Sequence, residues 1–334
     1  METLVVGSRE VSGLMSMKDC IEVMRQTFLD MGKGEVVFPP RWAMPQPGKR
    51  GLLGMMPGYL ARQGILGLKA TSVFPGNLDT PYESHQGAVL LFETTNGRLL
   101  GMVDATSITA IRTGAVSAVA TDVLSRKDSK TLAILGSGTQ ASVHLEAMRC
   151  IRPGIDAVRV WSRNPEHAER FAKAANGHGA VAEAVSGGAD AVRGADIICT
   201  VTGAKAPVLE GAWLSQGTHI NAVGASVPGY RELDADAVAK STLFVDSRES
   251  ATNEADDYRV PKQEGAIGEG HIRGQLGDLL VGRISGRQND REITLFKSVG
   301  LAIEDLAAAD YIYRKALERG VGTKVDFNEG RRPS

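Results

Sequence analysis

Apolar and polar positions along the chain follow two different rhythms. Ile21, Met24, Phe28 and Met31 recur at helical spacing, which predicts a helix over Met17–Met31. Phe38-Pro39-Pro40-Arg41 and Pro45-Gln46-Pro47-Gly48 break that period and read as loop or edge strand. Leu66–Val73 and Ala88–Phe92 are short apolar runs with the length of strands. Glu93–Arg98 contains the turn Thr95-Asn96-Gly97 and leads into Leu99–Val103, which makes a hairpin. An antiparallel sheet with helices is the simplest reading up to about residue 110.

Ile108–Leu124 is rich in Ala and Val with Thr109, Thr113 and Ser117 interleaved, and predicts one long helix leading out of this region. Beyond it strands and helices alternate. Thr131–Leu135, Ala157–Trp161, Ile197–Val201, His219–Val223 and Phe244–Asp246 read as strands. Gln140–Arg149, Pro165–Ala175 and a segment ending at Ala189–Val192 read as helices. Such alternation implies a doubly wound parallel sheet. Glu249–Asp290 is polar and Gly-rich with weak periodicity, and Leu301–Leu317 is an Ala-rich helix able to pack back on the first region. The expected fold class is α/β, with a parallel-sheet domain over 119–299 and a smaller, discontinuous α+β domain over 1–118 and 300–334.

Composition narrows the function. A chain of 334 residues accommodates two domains, and 38 Lys and Arg against 39 Asp and Glu leave a net charge of -1. That balance gives no electrostatic case for nucleic acid or an anionic membrane as the main partner. Cys20, Cys150 and Cys199 are widely spaced and form no CxxC, which argues against a disulfide framework or a metal site. No apolar stretch approaches membrane-spanning length and Met1-Glu2-Thr3 lacks the basic start of a signal peptide, so a soluble cytoplasmic protein is expected.

The sharpest local signal follows the strand Thr131–Leu135. Gly136-Ser137-Gly138-Thr139-Gln140-Ala141 is G-x-G-x-x-A between a buried strand and a helix. Gly136 permits the tight turn, Gly138 lets the backbone approach a pyrophosphate, and Ala141 allows close packing of helix on strand. The helix start adds N–H groups and a positive dipole end for the phosphates. In a chain with 39 Gly the motif by itself also fits a plain tight turn, and its strand–turn–helix setting favours a Rossmann-type dinucleotide site. The next strand ends in Ser162-Arg163-Asn164 without a carboxylate. An acidic residue there would bind the ribose of NAD, whereas Arg163 could pair with the extra phosphate of NADP. NADPH is therefore the expected cofactor, with NADH less favoured, and a solvated surface charge is the alternative reading of Arg163.

Several blocks in order resemble the ornithine cyclodeaminase/mu-crystallin family over nearly the whole chain. They are Leu53-Gly-Met-Met-Pro57, Ser84-His-Gln86, Thr109-Ala-Ile-Arg-Thr113, the Gly136 turn, His219-Ile-Asn-Ala-Val-Gly-Ala-Ser226, Arg231-Glu-Leu-Asp234, and Phe296-Lys-Ser-Val-Gly300 with Glu304-Asp305. The look is that of the ketimine reductase branch. The resemblance implies a homodimer built through the first domain and a substrate pocket holding Arg41, Lys69 and Arg112. Two arginines can grip an α-carboxylate, with Lys69 as a cationic donor beside the carbon–nitrogen bond. Arg112 lies within a small, apolar helix where a charge demands a partner, and a cofactor phosphate or substrate carboxylate would serve. Cofactor contacts are expected at Gly136, Gly138, Thr139, Gln140, Ser162, Arg163, Asn164, Thr200, Val201, Thr202 and Val223. The resemblance adds Ser84, His85, Gln86, Arg112, Thr113, Ser226 and Ser298, although His85 equally suits a satisfied turn histidine.

One departure shapes the expected reaction. Cyclodeaminases of the family carry an acidic residue where this chain has Ser226, and a serine hydroxyl does not take up a proton at neutral pH. Asp246 or Asp278 could supply a carboxylate from elsewhere. Ser226, with Lys69, suits a ready-made C=N that needs only hydride and a proton. The expected activity is NADPH-dependent reduction of pyrroline-2-carboxylate to proline or piperideine-2-carboxylate to pipecolate. Redox-neutral cyclodeamination of ornithine, alanine dehydrogenase-type amination of a 2-oxo acid, and non-catalytic ligand binding are the alternatives.

Overall fold

The computed structural model describes residues 2–48, 50–77, 80–176 and 181–327; positions 328–334 of the expected first domain lie outside them. The chain divides into two compact units, Met1–Arg112 with Leu301–Ser334, and Thr113–Gly300.

The first unit begins with β1 (Glu2–Val6), α1 (Ser8–Leu14) and α2 (Met17–Lys33). A capping box starts α2: the Ser16 side chain accepts from the Asp19 N–H while the Asp19 carboxylate accepts from the Ser16 N–H. Cys20, Ile21, Met24 and Phe28 form its buried stripe. Strands β2 (Val36–Val37), β3 (Trp42–Pro45), β4 (Leu52–Leu60), β5 (Ile65–Val73), β6 (His85–Glu93) and β7 (Leu99–Asp104) follow. The proline-rich segment after α2 thus contributes an edge strand, β3, which among the described residues pairs with β4 alone. The predicted hairpin is β6–β7, antiparallel with a register shift between Leu91 and Phe92. Helix α3 (Ala105–Leu124) is apolar on every side, and the division between the units falls within it.

The second unit contains β8 (Thr131–Leu135), α4 (Thr139–Ile151), β9 (Ala157–Trp161), α5 (Pro165–Asn176), β10 (Ala182–Ala184), α6 (Gly188–Val192), β11 (Ile197–Thr200) and β12 (His219–Ala222). It continues with α7 (Ala235–Ala239), β13 (Thr242–Val245), α8 (Arg248–Glu254), α9 (Asp256–Gln263), β14 (Ile272–Gln275), α10 (Leu276–Leu280) and β15 (Thr294–Lys297). All its strand pairs are parallel, in the order β10-β9-β8-β11-β12-β15-β13-β14. This is the Rossmann-type doubly wound sheet, with β8 central and the order reversing between β8 and β11. The weakly periodic stretch Glu249–Asp290 holds short helices and the edge strand β14, because its polar residues cap and pair where a buried stripe is lacking.

The chain then returns to the first unit as α11 (Ala302–Arg319) and β16 (Thr323–Asp326). β16 completes a sheet of order β16-β1-β7-β6-β5-β4-β2, antiparallel except for the β1–β7 pair. Ile303, Leu306 and Ile312 of α11 are fully buried, each worth roughly 1.5–3 kcal/mol. Leu306 seats on Gly58 of β4 and Gly67 of β5, where any side chain would overlap it. Close seating of α11 on β5 brings its first turn to Lys69.

Candidate active site

In the first unit the chemistry gathers where β5, α3 and α11 meet. Lys69 stands opposite Met56 on β4 and Val89 on β6, with its side chain buried. Its Nζ donates to Thr109 Oγ1 at 2.7 Å and pairs with Asp305 Oδ1 at 2.9 Å. Arg112, one helical turn beyond Thr109, donates from Nε to the same Asp305 oxygen at 3.0 Å and from Nη1 to Glu304 Oε2 at 2.6 Å. Arg112 is buried, as its apolar helix required, but the partners the structure gives it are protein carboxylates rather than only a cofactor or substrate group.

Burial dominates the electrostatics of this quartet. It brings the Lys69 ammonium down to about 8, with Asp305 opposing and the charges of Arg112 and Arg41 assisting. Burial alone would raise Asp305, yet Arg112 and then Lys69 hold its carboxyl below the ordinary range. Lys69 is therefore protonated near neutrality and able to surrender its proton with little cost. Arg41 lies just ahead of β3 and is half-buried, near enough for its charge to act on Lys69.

Ser84, His85 and Gln86 sit at the start of β6. Ser84 Oγ and His85 Nδ1 are 3.0 Å apart, Gln86 Nε2 donates to Glu83 O at 3.0 Å, and burial followed by the Lys69 charge lowers the His85 imidazole. Of the three, His85 is the one whose titration feels the lysine. Sequence reading missed Thr109, Glu304 and Asp305 as the groups that hold Lys69 and Arg112. Two adjacent acids at the start of an otherwise Ala-rich helix were the available signal.

In the second unit the glycine turn joins β8 to α4. Gly136 has φ 125°, and a Cβ there would lie 2.7 Å from Val201 O, so no side chain fits. Gly138 is the N-cap of α4 without a side-chain cap, and a Cβ at that position would meet nothing within 4 Å. This open first turn suits a pyrophosphate, and Thr139 is exposed beside it. Gln140 Oε1 is buried with no partner among the described residues. These features fit a dinucleotide.

The other expected contacts lie along the carboxyl ends of the parallel strands. Thr200 ends β11, Val201 and Thr202 follow it, and Val223 follows β12. Ser226 is half-buried two residues past Gly224, and Thr113 is buried in α3. Ser298 is buried after β15 and donates to Asp246 Oδ2 at 3.3 Å. That same Asp246 oxygen accepts from the Val299 and Gly300 N–H groups at 2.6 and 2.8 Å, while Asp278 pairs with Arg283. Both aspartates thus have structural bonds of their own. After β9, Ser162 Oγ accepts from Ser137 Oγ at 3.0 Å, Asn164 Oδ1 accepts from the Glu166 N–H at 3.0 Å, and Arg163 is exposed.

A family model described as the ornithine cyclodeaminase/mu-crystallin family matches residues 1–320. The chain is 37% identical to Delta(1)-pyrroline-2-carboxylate reductase of Bacillus cereus over 326 residues, 97% of this chain and 100% of that one. It is 41% identical to ketimine reductase mu-crystallin of Mus musculus over 280 residues, 84% of this chain and 85% of that one. Among solved structures, Delta(1)-pyrroline-2-carboxylate reductase of Thermococcus litoralis, in complex with NADH and L-proline, superposes with a TM-score of 0.94 at 41% identity, covering 97% of this chain and 100% of that one. An archaeal alanine dehydrogenase dimer with bound NAD has a TM-score of 0.93 at 34% identity, covering 98% and 100%. Iminosuccinate reductase of Paracoccus denitrificans, in complex with NAD+, has 0.91 at 30%, also covering 98% and 100%.

These structures correct the expected preference for NADPH, since each holds NADH or its oxidised form and favours NADH here. The local geometry agrees. Asn164 Oδ1 caps α5, Ser162 bonds Ser137, and Arg163 is a solvated cation rather than one built into a pocket. A strand tip without a carboxylate does not by itself create a site for an extra phosphate. Among the described residues no helix is long and apolar enough to cross a membrane.

Proposed function

We propose, for a chain that belongs to the ornithine cyclodeaminase/mu-crystallin family, the NADH-dependent reduction of Δ1-pyrroline-2-carboxylate to proline. The enzyme is an NAD(P)H-dependent oxidoreductase of C=N/CH–NH bonds; the particular imine and the residue roles are our reading. The observation that carries this reading is Lys69, buried, held by Thr109 and Asp305, and brought to about 8.

NADH, when bound, supplies the hydride that adds to C2 of the imine. Gly136, Gly138 and the first turn of α4 would hold its pyrophosphate, with Thr139 and Gln140 beside it. Arg41 and Arg112 attract the α-carboxylate, with Arg112 kept rigid by Glu304 and Asp305. Lys69 Nζ gives its proton to the imine nitrogen as the carbon–nitrogen double bond becomes single, and regains one from water. Asp305 and Thr109 fix the ammonium so that its proton is aimed without reorganisation. Ser226 supplies a hydroxyl to orient water or the nitrogen. It lacks the proton affinity that oxidation and cyclisation of an amine would demand, which favours the reductase over cyclodeamination. We further infer a homodimer, supported by the archaeal relative solved as a dimer and by the exposed Val37, Trp42, Met44, Leu53 and Leu66 on the first unit's sheet.

NADH oxidation measured with pyrroline-2-carboxylate, piperideine-2-carboxylate, and pyruvate plus ammonia tests the reading. The expected result is rapid turnover of the five-membered imine to proline, with kcat/KM falling as pH rises through about 8 and Lys69 loses its proton. Turnover of pyruvate and ammonia without either imine, or ammonia release from ornithine without added NADH, would overturn it.

A further inference from the structure

Glu232 is fully buried in the second unit, yet nothing in the proposed chemistry uses it. Its carboxylate gathers four donors from two separate loops. Oε1 accepts from the Thr202 N–H at 2.6 Å and Thr202 Oγ1 at 2.7 Å; Oε2 accepts from Thr200 Oγ1 at 2.8 Å and the Gly224 N–H at 2.7 Å. Four donors saturate the acceptor sites of one carboxylate. Gly224 completes the closure, since a Cβ there would overlap both the Thr202 backbone and the Glu232 carboxylate. The Glu232 backbone is itself fixed: its N–H donates to Asp257 Oδ1 at 2.8 Å, and its carbonyl accepts from Val208 and Leu209. Asp257 in turn pairs with the buried Lys297 at the end of β15 at 2.9 Å.

The two bridged loops leave the carboxyl ends of β11 and β12, adjacent strands on the far side of β8 from β9 and β10. In a doubly wound sheet of this order, β8, β9 and β10 form the half that takes the adenosine end. β11 and β12 belong to the half that takes the nicotinamide end. We infer that Glu232 is a positioning residue for the nicotinamide: by tying the loop after β11 to the loop after β12, it fixes the wall on which that ring rests. Burial and the neighbouring Asp257 raise the Glu232 carboxyl, with Lys297 opposing them. Against that cost stand the four donors from the two loops, each of which needs an acceptor oxygen.

This inference rests on the dinucleotide reading above, and calorimetry with NADH and ADP-ribose separates the two. ADP-ribose keeps the pyrophosphate and the adenosine end but lacks the nicotinamide. In E232Q the amide nitrogen confronts an N–H or O–H donor, so one loop is released. The expected result is NADH affinity lowered about tenfold or more, with ADP-ribose affinity unchanged within about twofold. E232D keeps the charge but is one methylene too short to bridge both loops. It decides the matter by the same ratio should E232Q lose cooperative melting. Equal losses for both ligands, or no loss of NADH affinity, would overturn the positioning role. A wild-type protein that binds neither ligand would overturn the dinucleotide reading and this inference together.

Discussion

In the first unit, Lys69 and Arg112 meet Glu304 and Asp305 as a buried set of matched charges. In the second, the buried ionisable groups include two histidines, His144 and His219, that burial holds near pH 4 and 3 and therefore neutral. His144 Nδ1 donates to Gln140 O at 2.7 Å, leaving Nε2 to accept from Ser117 Oγ at 2.9 Å. The contrast follows from what each unit handles. Charges proposed to meet an anionic substrate must stay charged and so need built-in counterions. The second unit has a buried ion pair of its own, Asp257 with Lys297, but on the helix that follows the glycine turn its buried His144 is neutral and sets no charge against a phosphate. The Lys69–Asp305 bond, which the proposed mechanism uses to aim the lysine, also ties α11 to the sheet.

Separating these two duties is the strongest test of the contrast. K69M should lower kcat for the imine about 10²–10⁴-fold while NADH affinity holds; an equal loss of NADH affinity would contradict the proposed division of labour. D305N leaves two buried cations sharing less counter-charge, and should destabilise the first unit by about 3–5 kcal/mol in urea unfolding. Acid should act on the other unit. The unfolded chain protonates its histidines near 6.5, whereas folded His144 and His219 resist down to about 4 and about 3. The unfolded state therefore binds more protons across that window, and stability falls as pH drops below about 6.5, by about 1.4 kcal/mol per pH unit for each histidine. Denaturant unfolding at a series of pH values checks both the sign and the slope. The smallest effect belongs to R163A: an exposed cation should change NADH affinity less than about twofold.

The second unit was the more readable from sequence. Its first two strands, Thr131–Leu135 and Ala157–Trp161, are short, mainly apolar runs separated by a helix, and the glycine turn lies between them. β15 escaped notice because Thr294–Lys297 is short and ends in a lysine whose charge is met by Asp257 far away in sequence. β4 was missed because two glycines and a proline interrupt its apolar run; they face Leu306 and the neighbouring strands rather than a turn. Lys69, Arg112 and Arg41 were expected from the family resemblance, and the structure brings Lys69 and Arg112 to a shared carboxylate. The counterions of Lys69 and Arg112 were not expected, since two adjacent acids in an Ala-rich helix stand out locally but do not name partners 236 and 192 positions away. The cofactor preference failed for a related reason: a residue type at a strand tip carries no information about which neighbours have already taken its hydrogen bonds.

Lys69 and Asp305 are 236 positions apart in the chain. During synthesis from the N-terminus, the whole of Thr113–Gly300 emerges before Asp305 does. The dinucleotide half can thus mature on the ribosome while the lysine still lacks its counterion, and the proton transfer proposed for Lys69 would wait until the late helix has docked. On the proposed mechanism, the proton donor is the last part of the site to be assembled.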